Sequence, residues 1–458
     1  MKLPSLPVIK TLIPGPHSKK MASDLRRYEC PQITYIDKDF PVFWESADLC
    51  SIQDVDGNIY LDLTAAFGVA NCGHNNPVIN RAAKKQMDKL THGMGDVHPT
   101  PLKIDLAREL ARITPGNLSL SIFSSSGSEA VDTALKTAFI ATGKPGIISF
   151  EGAYHGLTLG ALNATAWDLF RKPFAPLLPS IHHILPFPDC SPVGRQGSED
   201  QQCERILAKT RQTVKKQAKT SQPIGSIMIE PVQGRGGSRI PVKGFLKGLR
   251  DIADEYGLLL IFDEVYTGFG RTGNWFACEE EKVIPDLLCI GKGMSNGFPI
   301  SACIGKKIVM DQWGPSQGEA IHTSTFLGHP VGCAMGLATI KEMEEKNIPA
   351  QSRENGSYFL NQLNATLRKY DFVGNIRGRG MMMGLELIKP GSLNVPATET
   401  AIQIVKKSLK KGLILLASGE YSNILCLTPP LVITRKQIDF SVTVLNEIFT
   451  EIRKSGIQ

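Results

Sequence analysis

Between residues 120 and 291 the chain alternates short apolar runs with longer amphipathic stretches, and this alternation constrains the fold more than any other feature. The apolar runs predict strands at 120–124, 146–150, 226–229, 258–263 and 287–291. Helices are predicted between them at 128–142, 199–218 and 243–256. Because strands that alternate with helices form βαβ units, the pattern predicts a large α/β domain around a mostly parallel sheet.

The two ends of the chain have sequence patterns different from that of this central region. Asp56 and Gly57 separate two alternating runs and predict a β-hairpin turn. After residue 330, helical patterns mix with short strands. We therefore predict a large domain at 76–330 and a smaller α+β domain built from both ends. Residues 1–75 would form an arm and part of the small domain, and residues 331–458 would complete it.

Composition excludes several classes of protein. The 458 residues carry a net charge of +7, and the basic run at 209–219 has the pattern of a solvated helix face rather than of a nucleic-acid surface. The longest apolar runs, 258–262 and 413–417, are far shorter than the ~20 residues of a membrane span. The ten cysteines show no metal or disulfide spacing. We expect a cytoplasmic protein that binds neither nucleic acid nor membrane.

The segment SSSGSEA at 124–130 leads from a predicted strand into a predicted helix. Free backbone N–H groups and the helix dipole at such a junction suit a phosphate group. An ordinary N-cap, with Ser126 or Ser128 supporting the first helical turn, explains the same residues equally well. The segment alone does not decide between them.

Two adjacent carboxylates, Asp263 and Glu264, follow the apolar run LLLIF at 258–262, at the strand end where α/β sheets bind their ligands. A structural salt bridge is the alternative interpretation. The glycines at 268–273 match G-x-G-x-x-G, but that fingerprint must lie directly at a strand end and open a helix. A turn is therefore predicted there.

Lys292 follows the last predicted strand between two glycines, with no acidic residue within five positions. An amine in such a place can lose its proton and attack a carbonyl group. Together with Asp263 and the anion site at 124–130, Lys292 forms the set that pyridoxal 5′-phosphate requires. These are a lysine for covalent attachment, an acid for the ring nitrogen and a phosphate cup.

The chain resembles the class III aminotransferases, the ornithine and 4-aminobutyrate aminotransferase group of fold-type-I pyridoxal-phosphate enzymes. The segments that carry the resemblance occur in family order at 56–77, 124–130, 150–156, 229–237, 262–273, 291–301, 322–330 and 376–387. The resemblance implies that Lys292 binds the cofactor covalently and moves a proton, and that Asp263 pairs with the pyridinium nitrogen. It also implies a homodimer with shared active sites.

The remaining cofactor contacts are likewise implied by the resemblance. They are Ser126, Gly127 and Ser128 at the phosphate, Tyr154 and Val265 on the two ring faces, His155 beside Tyr154, Glu230 as an acid of the site, and Thr325 reaching the phosphate across the dimer interface. For the substrate, Arg377 would bind the α-carboxylate. Phe67 either lines the substrate pocket or belongs to the core.

Three positions depart from the family pattern. Arg235 replaces a glutamate that many members carry, Tyr266 replaces a glutamine near the cofactor, and His329 replaces the asparagine of the G-N-P motif. The added positive charge of Arg235 suggests a substrate with a second carboxylate or another distal anion.

The predicted function is transfer of an amino group from an amino acid or omega-amino acid to a 2-oxo acid by a ping-pong mechanism. A racemase, epimerase or decarboxylating enzyme on the same fold would keep the same motifs and stays open. Intact Lys292 and Asp263 argue against a binding protein that has lost catalysis. No metal site is predicted, since His182 and His183 have no carboxylate at metal-ligand spacing.

Overall fold

The computed structural model describes residues 2–191, 197–392 and 394–455. The strands are β1 (Trp44–Asp48), β2 (Ser51–Asp54), β3 (Ile59–Asp62), β4 (Leu118–Ser124), β5 (Gly146–Phe150), β6 (His182–Leu185), β7 (Ile224–Ile229), β8 (Leu259–Asp263), β9 (Leu287–Ile290), β10 (Ser301–Lys306), β11 (Val373–Arg379), β12 (Met382–Leu387), β13 (Leu413–Ile414), β14 (Leu416–Ser418) and β15 (Ile424–Leu427).

The helices are α1 (Pro16–Tyr28), α2 (Ala65–Gly68), α3 (Pro77–Lys89), α4 (Pro101–Ile113), α5 (Gly127–Thr142), α6 (Leu159–Ala164), α7 (Asp168–Arg171), α8 (Glu199–Gln217), α9 (Phe245–Tyr256), α10 (Lys307–Met310), α11 (Pro330–Glu345), α12 (Ile348–Leu367), α13 (Thr398–Lys410) and α14 (Arg435–Ser455). None of these described helices is both long enough and apolar enough to cross a membrane.

Seven strands form the central sheet, in the order β4-β10-β9-β8-β7-β5-β6. The neighbours from β9 through β6 pair in parallel, whereas β10 is antiparallel to both β4 and β9. Strands β5, β7 and β9 are buried at every position, as expected where helices cover both faces of a sheet. The predicted α/β fold with a mostly parallel sheet is confirmed.

The sequence missed two strands of this sheet, and both have unusual compositions. β6 contains two histidines, and β10 contains Ser301, Gly305 and Lys306. Neither is a continuous apolar run, which was the signal used for strands. The other five strands of the sheet lie within two residues of their predicted positions.

Helix α5 packs closely against the central sheet. Its inward face carries Ala130, Ala134 and Ala138, all fully or almost fully buried, and it packs on β9 and β10. Small side chains at every fourth position allow the helix to approach the strands closely. The start of α5 therefore lies beside the carboxyl ends of β8 and β9.

Segments from both ends of the chain combine in a second region. The hairpin of β2 and β3 surrounds the predicted Asp56–Gly57 turn, and β13 joins it by pairing in parallel with β3. β11, β12, β15 and β14 form a separate antiparallel sheet. The domain boundaries at residues 75 and 330 stay a prediction.

Candidate active site

Lys292 directly follows Gly291 at the end of β9, where the chain enters a short 3-10 helix. Its φ of 41° lies in the left-handed region that residues with a side chain rarely adopt, and such strain is common at functional sites. Burial lowers the pKa of Lys292 to about 8, although the charges of Asp263 and Glu230 oppose that shift. The side chain is an amine that can be partly unprotonated near neutral pH.

Asp263 is the last residue of β8, and it pairs in register with Cys289 on β9. Its Oδ2 atom lies 2.8 Å from Nδ1 of His155, and its Oδ1 accepts the N–H of Val265 at 3.1 Å. Burial alone would lower the pKa of His155, but the hydrogen bond and charge of Asp263 raise it above the ordinary value. His155 is thus a direct partner of Asp263, which the sequence did not predict.

Glu264 points to the opposite side of the chain from Asp263, as successive strand residues do. It is fully buried and accepts hydrogen bonds from Thr267 Oγ1 at 2.7 Å and from the N–H groups of Ala277 and Cys278 at 2.7 and 2.9 Å. Its role is structural. The glycines at 268–273 lie in a turn, as predicted.

The SSSGSEA segment forms the N-cap of α5, and it also presents backbone N–H groups suited to an anion. The Ser126 hydroxyl caps the helix by accepting the N–H of Glu129 at 3.3 Å, and Glu129 in return accepts the N–H groups of Ser125 and Ser126. In the described part of the chain, the N–H groups of Gly127 and Ser128 donate to no acceptor. The capping box therefore fixes the helix start and leaves two N–H groups for an anion.

Gly127 is required by close packing at this point. A Cβ atom on Gly127 would lie 2.7 Å from Cγ1 of Val265, and one on Gly291 would lie 3.8 Å from the Gly127 Cα. The start of α5 therefore touches the residues next to Asp263 and Lys292. The structure brings the predicted phosphate cup, Val265, the carboxylate and the lysine together.

Glu230 connects the loops that follow β5 and β7. Its two carboxylate oxygens accept the N–H of Tyr154 at 3.0 Å and the N–H of Gly234 at 2.8 Å. Burial raises the pKa of Glu230 to about 7, with Asp263 adding to the shift and His155 opposing it. The observed contacts position Tyr154, and direct contact of Glu230 with a cofactor stays a prediction.

Arg235 lies in a cage of three aromatic rings. Its guanidinium carbon is 4.9 Å from the ring centre of Tyr154, 5.0 Å from that of Phe170 and 5.9 Å from that of Trp167. The Trp167 indole is held in place by a 3.0 Å hydrogen bond to the carbonyl of Gly152. Neither Trp167 nor Phe170 could be predicted as a site residue, since no local sequence pattern marks two aromatic residues as partners of a distant arginine.

Tyr266 occupies the space around the lysine. The centre of its ring is 4.1 Å from Nζ of Lys292, and its hydroxyl pairs with the Thr428 hydroxyl at 3.0 Å. Burial raises the pKa of Tyr266 to about 12. A Cβ atom on Gly234 or Gly68 would come within 3.1 or 3.3 Å of this ring, so both glycines make room for it.

Arg377 has protein partners on its guanidinium. It forms a 2.5 Å ion pair with Glu386, and it also donates to the carbonyls of Gly237 and Ser238. It lines a cavity of about 590 Å³ whose lining includes neither Lys292 nor Asp263. The guanidinium of Arg377 is thus bonded to other groups of the protein. Its contact with the substrate α-carboxylate stays a prediction.

Phe67 and Thr325 are both exposed. Phe67 is 59% exposed in the turn of α2, where its φ is 63°, so it does not belong to the core. The neighbouring Gly68 touches Tyr266, which places this turn beside the site. Within the described residues the hydroxyl of Thr325 makes no hydrogen bond. Its contact across a dimer interface stays a prediction.

Comparisons with known proteins agree on one family. A family model described as aminotransferase class-III matches residues 35–449. The fold is similar to that of a transaminase from the marine bacterium Virgibacillus, with 27% identity, a TM-score of 0.87 and coverage of 95% of this chain and 99% of that one. An amine transaminase from an uncultivated Pseudomonas species, in its PLP-bound form, gives 28% identity, a TM-score of 0.85 and coverage of 93% and 98%. A phospholyase from Arthrobacter, in complex with phosphoethanolamine, gives 25% identity, a TM-score of 0.84 and coverage of 94% and 99%.

Proposed function

Because the chain belongs to the class III aminotransferases, which use pyridoxal 5′-phosphate, we propose that it moves an amino group from an amino acid or omega-amino acid to a 2-oxo acid. The two substrates would react in turn, in a ping-pong sequence. The observation that carries the proposal is the convergence of a lysine with a lowered pKa, a buried carboxylate and two free N–H groups at one edge of the sheet.

The residues present fit the cofactor. The N–H groups of Gly127 and Ser128 at the start of α5 suit its phosphate, and the absence of a Cβ at Gly127 keeps that start close to Val265. Asp263 is a buried carboxylate suited to a protonated ring nitrogen. Lys292 is the amine suited to the aldehyde carbon.

Bound in this site, the cofactor supplies an electron sink for a negative charge on the substrate carbon. Lys292 then acts as the base and acid of the site, since an amine with a pKa of about 8 can both accept and return a proton near neutral pH. His155 holds the Asp263 carboxylate in one orientation through the 2.8 Å hydrogen bond. Glu230 fixes the backbone of Tyr154 by accepting the N–H of that residue.

The central experiment measures the visible absorbance of the purified protein after addition of pyridoxal 5′-phosphate. Wild-type protein is expected to show a band that changes when an amino donor is added and recovers when a 2-oxo acid is added. Lys292→Ala removes both the band and the changes, whereas Lys307→Ala, at a lysine on the surface helix α10, keeps them. A wild-type protein without any such band would refute the proposal.

A racemase, epimerase or decarboxylating enzyme on this scaffold is the alternative, and the similarity to a phospholyase supports the idea that the fold hosts more than one reaction. The discriminating observation is the need for an acceptor. An aminotransferase consumes one donor for each 2-oxo acid converted. An alternative enzyme turns over its substrate repeatedly with no 2-oxo acid present.

We also propose a homodimer with shared active sites. Support comes from exposed apolar side chains beside Thr325: Phe326 is 57% exposed and Val97 59% exposed, and Thr323 joins the two loops by a 2.7 Å hydrogen bond to Asp96. In sedimentation experiments Phe326→Glu is expected to produce monomers with weaker cofactor binding. A monomeric wild-type protein with full activity would contradict the proposal.

We propose a cytoplasmic location because of the state of the cysteines. Within the described residues no disulfide joins any of the cysteines, and burial raises the pKa of several thiols, Cys72 and Cys333 among others. Cysteines without disulfides are typical of reducing compartments. Fractionation of cells that express the protein tests the location.

A further inference from the structure

Arg235 is a cation that lies beside three aromatic rings. Across residues 2–191, 197–392 and 394–455 it forms no ion pair, and its guanidinium donates no hydrogen bond to protein. The centres of three aromatic rings lie within 6 Å of its guanidinium carbon, the range of cation–π contacts. The N–H donors lie in the plane of the group and stay available to an anion.

The backbone of Arg235 is as firmly held as its side chain. Its carbonyl accepts the Ser418 hydroxyl at 2.6 Å and the N–H of Gly419 at 3.0 Å. The preceding Gly234 is bound by Glu230. Because both the backbone and the guanidinium of Arg235 are held, the side chain loses little conformational freedom when a ligand binds. Such preorganisation favours specific binding.

Arg377, the other arginine that could bind a substrate carboxylate, already has a protein partner. Arg377 is buried and paired with Glu386, and it faces a cavity that Lys292 does not line. The charge of Arg235, in contrast, acts on Lys292 and contributes to lowering its pKa. Arg235 is exposed, whereas Lys292 is half-buried. An anion on Arg235 would therefore lie outward from the reacting amine.

We propose that Arg235 binds a distal carboxylate of the substrate, so that the preferred amino donors and 2-oxo acids carry a carboxylate beyond the reacting carbon. This inference rests on the proposed function and assigns its substrate class. Two N–H groups of the guanidinium would donate to the two carboxylate oxygens, and the aromatic cage would keep the group in place. Arg235 acts as a specificity-determining residue in this assignment.

The test compares donors that differ only in the distal carboxylate. L-Glutamate is matched with L-2-aminobutyrate, and 4-aminobutyrate with n-propylamine, and each donor is followed by the absorbance change of the holoenzyme. Arg235→Ala is expected to lower kcat/KM for the carboxylate-bearing donors roughly ten- to hundredfold, mainly through KM, because a charge-assisted hydrogen bond is lost. The two matched donors without that carboxylate should change less than about threefold.

A control variant separates the cage from the general field of positive charge. Arg205→Ala removes an exposed arginine from the neighbouring cavity and leaves the cage intact, so it should leave all four donors unchanged. Equal losses on all donors in Arg235→Ala, or a wild-type preference for n-propylamine and L-2-aminobutyrate, would overturn the assignment.

Glutarate binding to the holoenzyme, measured by calorimetry, gives a readout without turnover. The dissociation constant is expected to rise at least tenfold in Arg235→Ala and to stay unchanged in Arg205→Ala. If no donor changes the absorbance, the proposed function fails, while the glutarate result still decides whether Arg235 binds a dicarboxylate. Equal glutarate affinity in wild type and Arg235→Ala would refute the inference even in an active aminotransferase.

Discussion

The Nζ atom of Lys292 lies 4.1 Å from the centre of the Tyr266 ring, so the amine rests against an aromatic face. The negative face of a ring favours the protonated amine. Burial acts in the opposite direction and prevails, since the pKa of Lys292 is lowered to about 8. We therefore expect the Tyr266 ring to oppose the effect of burial on that pKa.

Replacing Tyr266 by leucine should lower the pKa of Lys292 further. A cation–π contact of about 0.5–2 kcal/mol corresponds to roughly 0.4–1.5 pKa units. Tyr266→Phe keeps the ring and should leave the pKa in place while losing the bond to Thr428. The pKa of Lys292 in each variant is measured from the pH dependence of Lys292 acetylation in cofactor-free protein, followed by peptide mass spectrometry. Identical profiles for the leucine and phenylalanine variants would show that the ring face has no effect.

The pair of His155 and Asp263 predicts a pH-dependent stability. The pKa of His155 is raised in the folded protein, so the stability contributed by the pair is fully present below about pH 6.5 and is lost as pH rises through the folded-state pKa. His155→Phe should therefore destabilise most at pH 5.5–6, by about 1–3 kcal/mol, and least at pH 9. Denaturant unfolding across this range tests the sign. A destabilisation that grows with pH would contradict it.

Gly127→Ala should weaken cofactor binding. The new Cβ would lie 2.7 Å from Val265 Cγ1, which forces the start of α5 away from the site. We expect at least a tenfold loss of affinity for pyridoxal 5′-phosphate, measured by absorbance titration.

Gly143→Ala, at the other end of α5, is the matched control for Gly127→Ala. No atom of the described residues would lie within 4 Å of its added Cβ, but its φ of 65° disfavours alanine. It should cost about 1 kcal/mol of stability and leave cofactor affinity unchanged. Equal affinities in both variants would exclude close packing as the cause.

Arg377→Met should act on stability more than on substrate binding. It removes the guanidinium from two carbonyls and from Glu386, which among the described residues keeps only the Ser191 hydroxyl at 3.2 Å, and breaking such a largely buried ion pair costs roughly 3 kcal/mol. The double variant Arg377→Met/Glu386→Gln should recover part of that loss. If Arg377→Met instead folds with wild-type stability and raises KM for every amino acid, the predicted contact with the substrate α-carboxylate is supported.

The sequence predicted the sheet and the positions of Lys292 and Asp263 well because these depend on local patterns. Apolar runs define strands, and the carboxyl ends of parallel strands meet at one edge of the sheet. It missed β6 and β10, whose histidines, glycine and lysine break the apolar signal. It assigned His155 to a secondary position, because its bond to Asp263 spans two segments far apart in the chain.

What the sequence determined by itself is the set of chemical groups in the site: a lysine, a carboxylate and the glycine-containing start of a helix at three strand ends. The tertiary structure alone decided which groups pair. Arg377 and Arg235 are both arginines near family motifs, yet one pairs with Glu386 and the other stacks on Tyr154, Phe170 and Trp167. Such choices depend on the distances and orientations of side chains that fold together from remote segments, and local periodicity carries no information about them.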